Sequence, residues 1–87
     1  MDAIKRLQME MSKHREGIDR LNKDISREKS VLKQILKGID DDTNENEAQN
    51  YGLVYECSNK ICSFIRQRKE LQRLIMMKME IYTNHSE

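Results

Sequence analysis

The side chains of this chain that could do chemistry are few and far apart. There are two histidines, His14 and His85, and two cysteines, Cys57 and Cys62, in 87 residues. A zinc site needs three or four such groups converging from short, repeated spacings. The histidines stand near opposite ends of the chain. On a helix the two cysteines point about 140° apart. Neither cysteine has a histidine near it in sequence to take its proton, so neither reads as a primed nucleophile. Carboxylates are abundant, but nothing around them would exclude water and raise a pKa as a general acid requires. No glycine-rich phosphate loop or nucleophile elbow is present. The residues therefore argue against an enzyme and imply no metal and no cofactor.

Charge in the wrong place is more informative, and it appears once the elements are read. Ile4, Leu7, Met11, His14, Ile18, Leu21, Ile25, Glu28, Leu32, Ile35 and Ile39 follow alternating steps of three and four without a slip. A seven-residue period held for about five heptads predicts a helix that supercoils left-handed against another. His14 and Glu28 are the two polar residues on that line. Outward positions supply charge pairs four apart, Glu16 with Arg20 and Asp19 with Lys23, each expected to add ~0.3 kcal/mol.

A stop follows. Gly38 suits the left-handed residue after a helix end, and Ile39 the apolar contact that accompanies it. Lys33 and Lys37 favour the negative end of the helix dipole. The run Asp40 to Asn46 is acidic and cap-prone, with Asp42 and Glu45, or Asn44 and Glu47, reading as a capping box. A second stripe then contains Leu53, Val54, Cys57, Ile61, Phe64, Ile65, Leu71, Ile75, Met79 and Tyr82. Gly52 lies early in it at a cost of ~1 kcal/mol relative to alanine. The absence of proline agrees with uninterrupted helices.

The predicted fold is all-α, one domain over 1–87, with helix 1 at about 2–38, an acidic turn at about 39–45 and helix 2 at about 46–83. Equal lengths around a short turn predict an antiparallel coiled-coil hairpin. A single continuous helix would have to run through Gly38 and three successive aspartates. The expected seam joins the helix 1 line to Val54, Ile61, Ile65, Ile75 and Met79.

More apolar surface exists than one seam can use. Val31 and Leu36 widen the helix 1 line. Leu74, Met77 and Ile81 form a second line on helix 2, with Met76, Tyr51 and Tyr55 adding area. A helix apolar on two sides is normally buried on two sides. The expected outcome is dimerisation into a four-helix bundle, or capture of a helical partner subunit. Arg68 lies in the helix 2 stripe and would need a partner if buried. Counting around the turn brings Glu28 level with Ile61 or Cys62, so an Arg68–Glu28 pair would cross an interface between copies. Otherwise Arg68 leads its head out past the seam edge. His14 is expected to be a polar seam residue that sets alignment.

Net charge is +1, with 36% charged and 5% aromatic residues. Arg66, Arg68, Lys69, Arg73 and Lys78 spread around helix 2 instead of sharing a face, which argues against nucleic acid. No stretch approaches the roughly 20 apolar residues of a membrane span. The first residues lack a signal peptide's apolar run. A cytoplasmic location, or a nuclear one, is expected, with both cysteines reduced. The Asn84-His85-Ser86 sequon would matter only in a secreted protein.

Two short resemblances can be marked. Met1-Asp2-Ala3-Ile4-Lys5 resembles the start of tropomyosins over those residues alone. Phe64-Ile65-Arg66-Gln67-Arg68-Lys69-Glu70-Leu71 resembles a stretch in the Rab-binding helical domains of MICAL-type proteins, which implies an effector of a small GTPase. The residues themselves favour a non-enzymatic structural or adaptor subunit of a multiprotein assembly, and the effector is the alternative.

Overall fold

The computed structural model describes residues 2–40 and 47–85. Helix α1 spans Ala3–Asp40 and α2 spans Glu47–His85. They lie side by side in a body of 66 × 17 × 14 Å. Contacts run in reverse order along the two helices: Gln8 meets Tyr82, Asn22 meets Arg68, and Glu28 meets Cys57. The pair is therefore an antiparallel helical hairpin.

Asp2 starts α1. Its side-chain oxygen accepts the Ile4 amide at 3.1 Å and its carbonyl accepts the Arg6 amide at 3.2 Å. The first of these pairs an amide that the helix cannot satisfy internally, and the second is the helix's first internal bond.

The other end of α1 differs from expectation. The helix does not stop at Gly38 but continues through it to Asp40. A glycine costs ~1 kcal/mol inside a helix. Ile39, however, is the next residue on the seam and is half-buried. Continuing the helix keeps Ile39 against α2, and that burial offsets the glycine. Helix α2 likewise runs to His85, beyond the expected end. The proposed capping pairs, Asp42 with Glu45 and Asn44 with Glu47, lie outside the described residues and side chains.

The seam of α1 is the heptad line from Ile4 to Ile39, every member buried or half-buried. On α2 it runs through Asn50, Val54, Cys57, Ile61, Phe64, Arg68, Leu71, Ile75, Lys78 and Tyr82, in steps of four and three. Met79, expected in the seam, is instead 49% exposed. The 3.5-residue period of a supercoiled helix carries Lys78 and Tyr82 onto the line and leaves Met79 beside it. Leu53 is outside for the same reason, and Ile65 sits half-buried at the seam's edge.

Among the described residues the buried apolar side chains are Met11, Leu21, Ile25, Cys57 and Ile61. A Cβ at Gly17 would stand 2.9 Å from Leu71 Cδ1, so the missing side chain makes room for Leu71 against α1.

Candidate functional site

Glu28, Arg68, His14 and Lys78, all on the seam, each have a partner inside the hairpin. Arg68 leaves its layer sideways and donates from Nη1 to Asn22 Oδ1 at 2.9 Å. The stem stays in the seam while the head reaches the rim, which dispenses with a buried counter-ion. Cys57 donates its thiol proton to the Glu28 carbonyl at 3.1 Å and to Glu28 Oε2 at 3.3 Å. Glu28 and Arg68 are thus each engaged separately, and the expected pairing of one with the other is not formed within the chain.

The third intrusion is a cluster at the open end. Lys78 Nζ lies 2.7 Å from His14 Nε2 and 3.1 Å from Glu10 Oε2. A lysine ammonium has only protons to give, so the imidazole accepts through Nε2. The hydrogen bond from Lys78, then its charge, holds the Glu10 carboxyl below the usual carboxylate range. No buried side-chain nitrogen or oxygen among the described residues is left without a partner. Such satisfied polar contacts favour one alignment over its neighbours, because sliding a helix would orphan them.

Burial first, then the hydrogen bond and charge of Glu28, push the Cys57 thiol up, so it stays protonated and inert. Cys62 is exposed and both thiols are free. Among the described residues no three His, Cys, Asp or Glu side chains gather as metal ligands, and no helix is long and apolar enough to cross a membrane.

The surface is more telling. Leu74 is half-buried at the seam's flank, while Met77 and Ile81 are 47% and 42% exposed. With Glu70 and Asn84 they form a second line on α2 with the same steps of four and three. Arg73 lies across it, donating from Nε to Glu70 Oε2 at 3.0 Å and from Nη1 to Met77 Sδ at 3.0 Å. That pairing holds the Glu70 carboxyl below its usual range and raises the guanidinium's. Met76, on the far side, is 71% exposed. A second exposed apolar group, near the turn, comprises Val31, Leu36, Tyr51, Leu53 and Tyr55.

Sequence reasoning missed Lys78 and Gly17. Counting fours and threes onward from Val54 would have reached Lys78, whose charge hid it from a search for apolar residues. Gly17 precedes a seam residue, a place where absence of a side chain signals close approach. The outward pairs Glu16–Arg20 and Asp19–Lys23 are not closed. All four side chains are exposed, where ordering two long side chains cancels a weak attraction. The ion pairs that do form among described residues are Asp24–Arg27, Glu70–Arg73 and Glu10–Lys78.

Comparison of the chain with family models, curated proteins and solved structures finds no match in any of the three.

Proposed function

We propose that this protein is a non-enzymatic coiled-coil interaction module, a structural or adaptor subunit that joins an assembly through the open-end face of α2. The observation that carries this reading is the second heptad line. Leu74, Met77 and Ile81 repeat the spacing of a seam, yet α1 covers only the first seam and leaves Met77 and Ile81 in water. An exposed line with coiled-coil spacing fits another helix. Methionines adapt their shape to such a partner at little cost. The reading places the protein in the cytoplasm or nucleus, where Cys57 and Cys62 remain thiols.

Replacing Leu74 and Ile81 together by Glu tests it. Helix content by circular dichroism should hold, because neither residue is in the α1–α2 seam, while association measured by sedimentation velocity should vanish. Association that survives the double substitution would remove the basis of the reading.

A further inference from the structure

We infer that the helix received by this face is a second copy of α2, running antiparallel and overlapping only at the open ends of the two hairpins. The inference rests on the interaction-module reading and commits it to one occupant and one register. Its basis is the charge beside the second line. Leu74, Met77 and Ile81 form the line, and the positions immediately outside it hold Arg73 and Glu80, one heptad apart and opposite in sign. Both side chains are exposed.

In an antiparallel pair of helices, the residues preceding each core position face their counterparts across the rim. Consider a two-fold axis passing between Ile75 and Met76. Leu74 then falls level with the partner's Met77, and Met77 with the partner's Leu74. Ile81 covers the stem of the partner's Glu70. On the rim, Arg73 meets the partner's Glu80, and Glu80 meets the partner's Arg73. The symmetry makes each attraction occur twice.

Other arrangements lose this match. Sliding one heptad in one direction sets Glu80 against the partner's Glu80. Sliding the other way sets Arg73 against the partner's Arg73. A parallel pair brings Arg73 beside the partner's Lys78. Like charges across a rim are repulsive, so the charges select one alignment out of these four. Arg73 already reaches over the line to Met77 and Glu70, which holds its guanidinium on this face.

The overlap is short. It extends over the last part of α2 for about 30 Å at ~1.5 Å per residue. The hairpins therefore point away from each other instead of lying flank to flank as a full-length four-helix bundle. On α1 the neighbouring positions are Glu10 and Gly17, which offer no large apolar side chain, so the contact belongs to the two α2 helices. With a hairpin 66 Å long, the dimer should be about 100 Å end to end, whereas a full-length bundle would stay near the hairpin's own length.

The test is sedimentation equilibrium of the full chain, with Arg73→Glu, Glu80→Arg and the double substitution. Each single change places like charges across both rims and should weaken dimerisation about tenfold or more. The double change restores opposite signs and should return the affinity to within about threefold of the wild type. Circular dichroism of each variant separates lost helix from lost pairing, and small-angle scattering of the wild type should give a longest dimension of about 100 Å. A double variant no tighter than the singles would overturn the inference. So would a wild-type chain that stays monomeric to about 1 mM, or a dimer no longer than one hairpin. If a helical partner then still binds and Leu74→Glu with Ile81→Glu abolishes that binding, the second copy is wrong and the interaction module stands. If that pair of changes alters no association at all, both fall.

Discussion

The two halves of this hairpin solve the same packing problem differently. In the half near the turn, Leu21, Ile25, Cys57 and Ile61 are buried, and the one carboxylate on the α1 line there, Glu28, takes up the Cys57 thiol. At the open end the seam carries His14 and Lys78 among its layers, while Met76, Met77, Met79 and Ile81 are left outside. Apolar side chains are plentiful in both. Both halves also leave apolar side chains outside, Val31, Leu36, Tyr51, Leu53 and Tyr55 near the turn among them. What differs is that at the open end Leu74, Met77 and Ile81 fall on one line with coiled-coil spacing beside a seam that holds a lysine. A helix pair needs a narrow seam only, so surplus apolar surface that repeats a seam's spacing is a specification for something further.

Substitutions can break or sharpen that contrast. The largest effect should come from the half near the turn. Ile25→Ala empties a buried site and should cost about 2–4 kcal/mol, read from urea unfolding. Next comes Lys78→Met, which gives the open end the chemistry of the other half. Its partners Glu10 and His14 are only half-buried, so water can reach both and neither would be orphaned in a dry site. Stability should therefore rise by about 1 kcal/mol, since an apolar residue often outperforms a partly buried ion pair. A loss of stability would mean that the His14–Lys78–Glu10 cluster is a stabilising network rather than an alignment device.

The halves should also answer pH in opposite directions. Glu10 and Glu70, both toward the open end, have carboxyls held below their ordinary range by Lys78 and Arg73. Such groups stabilise the fold above the unfolded-state pKa, and the contribution is lost as pH falls through the lower folded-state values. Cys57, in the other half, has its pKa raised by burial. Its contribution is present at neutral pH and lost as pH rises beyond the usual thiol range. The urea midpoint should drop modestly below about pH 5 and again above about pH 9. Glu10→Gln should reduce only the acid drop, and Cys57→Ala only the alkaline one. The smallest effect belongs to Met79→Ala. That side chain lies outside the seam, so the cost should stay under about 0.5 kcal/mol. A cost near that of Ile25→Ala would restore Met79 to the seam.

Legibility in the sequence followed the same division. The α1 line is visible as a period because nine of its eleven residues are apolar. The α2 line is harder to read because Arg68 and Lys78 occupy two of its positions, and a search for apolar stripes drifts onto Met79 and Leu53. Gly38 reads as a helix stop on local propensity alone. Tertiary contact of Ile39 with the seam overrides it, which no local rule can show. The pairing of Cys57 with Glu28 was also hidden. A thiol is a weak donor rarely weighed as a partner for a misplaced carboxylate, and the preferred partner had been a full charge. The surplus of apolar surface, by contrast, was plain from composition and spacing. What receives it had to be sought in the charges that border it.

The central claim is that the core around Leu21, Ile25, Cys57 and Ile61 is built by one chain, whereas the second line at the open end is completed by association. Amide hydrogen exchange across a dilution series tests this most directly, comparing samples at about 5 µM and about 500 µM. Protection around Leu21, Ile25, Cys57 and Ile61 should be the same at both concentrations. Protection in α2 from Glu70 to Asn84 should be weak in the dilute sample and rise at least several-fold in the concentrated one. Equal protection of both halves at every concentration would contradict the account, because the open end would then be as self-sufficient as that core.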